Sequence, residues 1–138
     1  MKNFILICMI LLCCNLLNAK GYSVIISDNI PAITIDELRA LYLKKITFIK
    51  NAKIIPLNLP AKSSIRKSFE TNILHMNESR LKHYWIKAHY LGKRPPIMLK
   101  SQQAVKRFVK RVNGAIGYID SSKKEQGMRV LYQWKDEE

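Results

Sequence analysis

Cysteine disappears from this chain after residue 14: Cys8, Cys13 and Cys14 are its whole complement, and all three sit in one N-terminal apolar run. With that run removed, the remainder carries no thiol, which excludes disulfides, thiolate metal ligands and cysteine nucleophiles together. Glycine is scarce as well, five in 138 residues, and no Gly-rich loop of the kind that cradles phosphates is built from them. No acid and base stand at a catalytic spacing, and no serine, histidine and aspartate fall in the order of a nucleophile elbow, so neither enzymatic activity nor a cofactor is expected. No internal repeat, low-complexity tract or linker divides the chain beyond its first residues.

Carboxylates are the other shortage. Ten Asp and Glu face 24 Lys and Arg, a formal charge of +14, and the acidic cluster is confined to the tail Asp136-Glu137-Glu138. Such an excess favours anionic partners, namely phosphate-like solutes, nucleic acid or the acidic surfaces of a cell envelope. The N-terminus bears on which of these the chain meets. Met1-Lys2-Asn3 is a short basic start, and Phe4 to Leu17 is an apolar run too short to span a bilayer comfortably, followed by Asn18-Ala19. Residues 1–19 therefore read as a cleaved secretory signal peptide, and residues 20–138 as one periplasmic domain. Leu12 before Cys13 lacks the small residue that a lipoprotein signal wants, which leaves an uncleaved signal anchor as the alternative. Export makes nucleic acid an unexpected partner.

The pattern along the chain alternates strands and helices. Tyr22 to Ser27 is β-rich and closes on a turn at Asp28–Pro31. Thr34 with Glu37 forms a capping box for a helix over about 34–43, Ile46 to Ile49 is a brief extended piece, and Ile54 to Asn58 is a second strand. A helix over 63–75 carries Ile65, Phe69 and Ile73 on one stripe. Asn77 caps the next, whose face Leu81, Tyr84, Trp85, Ala88 and Leu91 is expected to be core. Pro95-Pro96 forces an extended or turn segment. Ser101 then caps a helix with Ala104, Val105, Phe108, Val109 and Val112 inward and Lys106, Arg107, Lys110 and Arg111 outward. Asn113-Gly114 stops it, and strands follow over 115–120 and 128–134. The class is α/β, a mixed sheet flanked by helices.

One junction stands out chemically. Ile54-Ile-Pro-Leu-Asn58 runs through a proline-marked turn into a helix that opens on Lys62-Ser63-Ser64 with Arg66 behind. A helix start leaves backbone N–H groups unpaired and carries the positive end of the macrodipole, which suits an anion. The plainer reading is that Ser63 or Ser64 only caps its own helix while the cations are solvated. Lys106, Arg107, Lys110 and Arg111 similarly read either as a docking face for an acidic surface or as a solvated helix face. The three histidines make no metal site: His83 and His89, six apart, lie about 240° around a helix from each other, and His75 is outside it.

Taken in order, Leu38-x-x-Leu-Tyr-Leu-Lys-Lys-Ile-Thr-Phe48, Ile55-Pro-Leu-Asn58 with Ser63-Ser64-x-Arg-x-x-Phe69, Tyr84-Trp85, Gly92, Pro95-Pro96 and Gly114-Ala-Ile-Gly-Tyr-Ile119 resemble the corresponding segments of phosphate-type solute-binding proteins. The resemblance spans about residues 22–120. It implies a single small lobe-like domain of the type 2 periplasmic binding protein fold. It also implies phosphate or a similar oxyanion as ligand, held by amides and hydroxyls at helix starts, with the membrane components of an ABC transporter as partners. Asn58, Lys62, Ser63, Ser64 and Arg66 are the ligand residues so implied. Lys44 stands where the family usually has glycine. Asn58 stands where larger relatives place an arginine, and a carboxamide cannot make that side chain's paired, charge-assisted bonds; Lys62 or Arg66 is left to compensate. Larger relatives enclose the ligand between two lobes, and a homodimer is one way for a single lobe to close the cleft. The rival reading keeps the fold without the ligand and docks the basic face on another envelope protein or acidic surface.

Overall fold

The computed structural model describes residues 21–136; the expected signal peptide, the three cysteines and Glu137-Glu138 lie outside them. Gly21–Ile26 forms β1, whose Tyr22 to Ile26 are buried without interruption, as befits a strand covered on both faces. The Thr34–Glu37 box closes reciprocally at 3.2 and 3.1 Å and starts α1 (Ile35–Tyr42). A two-residue hairpin pair, β2 (Phe48–Ile49) and β3 (Ala52–Lys53), precedes β4 (Ile55–Asn58). Helices α2 (Ser64–Asn72) and α3 (Glu78–Tyr90) lead to β5 (Ile97–Met98), and α4 (Gln102–Arg111) leads to β6 (Ala115–Asp120). A short 3-10 turn at Ser121–Lys123 precedes β7 (Arg129–Lys135). The pieces β3 and β5 went unrecognised in the sequence because two residues carry no period.

The five-stranded sheet runs β5-β4-β6-β1-β7. β4 is parallel to both β5 and β6, while β1 is antiparallel to β6 and β7, so the sheet is mixed as expected. Adjacent residues of β6 point to opposite faces. On one face Tyr118 stacks on Phe69 of α2 with ring centroids 4.3 Å apart and 11° between planes, and Tyr42 of α1 and Trp134 of β7 complete an aromatic cluster. On the other, Gly117 makes room for α4, because a Cβ there would sit 2.5 Å from Val105 Cγ1. Gly114, at φ +85°, lets the backbone pass Lys53 O, which a Cβ would meet at 2.1 Å.

Two sequence expectations need correction. Of the α3 face, only Leu81 and Ala88 are buried; Tyr84 and Trp85 are half-buried and Leu91 is 75% exposed. A thirteen-residue helix that lies along the rim of the domain buries one line of contacts spaced seven apart, not the whole stripe. Lys106 does not point outward: it is 7% exposed and its Nζ donates to Glu125 Oε1 at 2.6 Å, with Lys110 bound to the other carboxylate oxygen. The loop after the 3-10 turn folds back along α4 and supplies that counter-charge. Asp136 accepts from Tyr22, Ser68 and Asn72 and so ties the end of β7 to α2.

Candidate oxyanion site

The chain leaves β4 toward β5 and leaves β6 toward β7, on the far side of β1. In open α/β sheets the usual ligand position lies where connections depart in opposite directions, beyond the carboxyl ends of the two parallel strands between them. Asn58 ends β4 at this position, and α2 begins six residues later. Ser63, extended at φ −63° and ψ 128°, caps α2 by accepting from Arg66 N at 3.4 Å. Its own N–H is committed to Pro60 O at 2.9 Å. The amides of Ser64 and Ile65 find no acceptor among the described residues, so two donors of the first turn remain available. Ser64 and Lys62 are exposed beside them.

Asn58 and Arg66 are engaged in building this turn. The Tyr118 hydroxyl donates to Asn58 Oδ1 and accepts from Leu59 N at 3.2 Å. The carboxamide is thereby oriented with its oxygen toward the sheet, and its NH2 donates to nothing among the described residues. Burial pushes the Tyr118 phenol far above its ordinary value, so it stays protonated and keeps donating. Arg66 spans the turn: Nη1 donates to Leu59 O at 2.9 Å and Nε to Glu70 Oε1 at 3.2 Å. Desolvation raises Glu70, with Arg66 opposing it, so the pair is a half-buried brace rather than a free guanidinium waiting for ligand. Of the five residues singled out in the sequence, Ser63 is thus a cap, Arg66 a brace, and Asn58, Lys62 and Ser64 present unused donors at one edge.

The basic set of α4 does not act as a unit, because Lys106 and Lys110 share Glu125 while Arg107 and Arg111 remain exposed. His83 Nδ1 lies 2.8 Å from Ser79 O, and His75 Nε2 lies 2.9 Å from Arg39 Nη2. No group of three His, Cys, Asp or Glu side chains able to hold a metal occurs among the described residues. Sequence reasoning missed a groove of about 460 Å³ where Lys45, from the turn after α1, meets His75, Arg80, His83, Tyr84 and Lys87. Its lining holds no carboxylate. The signal available was only the common spacing of Arg80, His83, Tyr84 and Lys87 on α3; nothing local brings Lys45 and His75 to the same place. A second groove of similar volume between α2 and α3 is lined by Arg66, Lys67, Glu70 and Trp85, but not by Ser63 or Ser64.

Among the described residues no helix is long and apolar enough to cross a membrane. No protein-family model matches the chain, and no curated protein matches it. Solved structures do. An ABC-type phosphate transport receptor from Vibrio cholerae superposes with a TM-score of 0.63 at 17% identity, over 81% of this chain and 45% of that one. A protein from Clostridium perfringens, described as a phosphate ABC transporter substrate-binding protein with bound phosphate, gives 0.65 at 21% over 81% and 44%. PstS from Borrelia burgdorferi gives 0.59 at 19% over 82% and 47%. The chain therefore spans less than half the length of each of these structures. What it shares with them is the fold, a single small α/β domain with the architecture of the type 2 periplasmic binding proteins.

Proposed function

We propose that this chain is a binding protein, not an enzyme, that takes a small oxyanion, with phosphate first among candidates, beyond the carboxyl ends of β4 and β6. The observation that carries this reading is the pair of unsatisfied amides at Ser64 and Ile65, set at a strand-order reversal and flanked by the Asn58 carboxamide, the Ser64 hydroxyl and the Lys62 ammonium. Every one of these groups donates, and none competes for a proton. Arg66, Glu70 and Tyr118 hold the turn in shape for them. The similar structures, an ABC-type phosphate transport receptor, a phosphate ABC transporter substrate-binding protein with bound phosphate and PstS, support the choice of phosphate and a role in ABC-type uptake at the periplasm. Because the donors open to one side, a second copy or another protein would complete the enclosure. Docking through α4 has less to draw on, since two of its four cations already share a carboxylate.

The test uses a backbone deletion. Proline is tolerated at the first position of a helix, and Ser63 already has the extended geometry that a following proline demands. Ser64→Pro therefore removes one candidate N–H with the helix intact, and Ser64→Ala removes the hydroxyl alone. A hydrogen bond to a charged group contributes roughly 1.5–3 kcal/mol, so Ser64→Pro is expected to weaken phosphate binding by about tenfold or more, and Ser64→Ala by less. Calorimetry that detects no saturable heat from millimolar phosphate or sulfate, or equal affinity in Ser64→Pro and the wild type, would overturn the reading.

A further inference from the structure

We propose that the C-terminal end of α3 and the turn after it form a surface that inserts into the interface of an anionic lipid bilayer. The two most exposed large apolar side chains of the described residues stand here, Tyr90 at 84% and Leu91 at 75%, and Ile86, one turn before Tyr90, is 50% exposed. Gly92 turns the chain at φ +76°, and a Cβ built there would meet nothing within 4 Å. An exposed apolar helix end buries its surface best in a medium that deforms around it, and the headgroup boundary of a bilayer is such a medium.

The charges around the tip identify the surface. From Ser79 to Ile119 the chain carries no carboxylate, and those that share grooves with Trp85 and Ile86 are Glu70 on α2 and Glu78 at the opposite end of α3. Lys82 and Lys93 flank a shallow apolar concavity lined by Trp85, Ile86, Tyr90 and Pro95 on one side of α3. On the other side lies the carboxylate-free groove of Lys45, Arg80, His83 and Lys87. Aromatic and aliphatic groups at a tip, with cations on both flanks, match the interfacial layer, where rings sit at headgroup level and lysines meet acidic phosphates. The same pattern disfavours a second copy on this face, because two such tips in contact would press cations against cations on a chain of formal charge +14. The face is remote in sequence from Ser63–Ser64, so the inference does not depend on anion capture at those residues.

The experiment is partition of the full chain, as its cells process it, onto vesicles of phosphatidylcholine alone or mixed with phosphatidylglycerol. Trp85 reports insertion directly, since Trp134, the other tryptophan, is 7% exposed and packed in the core. Partition onto phosphatidylglycerol vesicles is expected, with quenching of Trp85 emission by brominated acyl chains. Tyr90→Ser/Leu91→Ser removes two side chains with little packing to lose and is expected to weaken partition roughly tenfold or more. Lys87→Glu/Lys93→Glu should weaken it at least as much, and only on the anionic vesicles. An apolar segment retained at residues 4–17 would bind both vesicle types alike and ignore these substitutions, so the difference between variants decides. Equal partition of the Tyr90→Ser/Leu91→Ser variant, or Trp85 emission untouched by brominated lipid, overturns the proposal. So does a dimer that this double substitution dissolves, with no vesicle binding.

Discussion

Replacing Tyr118 by phenylalanine isolates one hydroxyl that belongs to both the fold and the candidate site. The ring is fully buried and its stack on Phe69, 4.3 Å between centroids, is kept by the substitution. What is lost is the donor to Asn58 Oδ1 and the acceptor for Leu59 N. Asn58 is half-buried at the rim and can turn to water. Leu59 is 2% exposed, and its amide has no second acceptor among the described residues. An unsatisfied buried donor costs about 1–3 kcal/mol, so urea unfolding followed by circular dichroism should show a loss in that range at an unchanged m-value. Phosphate affinity should fall as well, because Asn58 loses its orientation. A second signature lies at alkaline pH. Tyrosine in an unfolded chain titrates near 10. Burial raises Tyr118 and Tyr42 well above that, so above pH ~10 the folded state keeps protons that the unfolded chain has lost. Stability that is complete below the unfolded value thus declines as pH climbs toward the folded ones, by about 1.4 kcal/mol per pH unit for each tyrosine. Tyr118→Phe should remove one proton's share of that slope. A destabilisation below about 0.5 kcal/mol, together with an unaltered alkaline slope, would refute the reasoning.

Gly117→Ala places a Cβ 2.5 Å from Val105 Cγ1 and should destabilise by about 1–3 kcal/mol through overpacking of α4 on β6. Adding Val105→Ala should recover part of that loss; strictly additive effects in the double variant would show that the two positions do not compete for space. Glu125 is held down at about 2, first by its hydrogen bond from Lys106 and then by Lys110. Its contribution is therefore present above the unfolded value near 4.5 and is lost as pH falls toward 2. Glu125→Gln should flatten the acid limb of a thermal-stability profile, and should cost more than Lys106→Met, because it leaves the buried ammonium without a counter-charge. A parallel acid limb in the Gln variant would remove the ion pair from the account.

Much of this protein was legible residue by residue. Caps are local chemistry, so Thr34 with Glu37, Asn77 and Ser101 could each be placed at a helix start before any contact was known, and each accepts the expected backbone bond; at α2 the choice between Ser63 and Ser64 fell to Ser63. The stripe Ile65, Phe69 and Ile73, the strands near Tyr22–Ile26 and Ala115–Asp120, and the mixed α/β class followed from periodicity for the same reason. Tertiary structure alone decided the strand order and with it the position of the candidate site. It also decided that Arg66 braces Leu59 and Glu70, and that Tyr118, some sixty residues away, orients Asn58. The same holds for Lys106 turning inward to Glu125, and for Leu91 after α3, which helical spacing had placed in the core face. Helical spacing fixes which side chains share a face, but whether that face meets protein, water or lipid depends on chain far off in sequence.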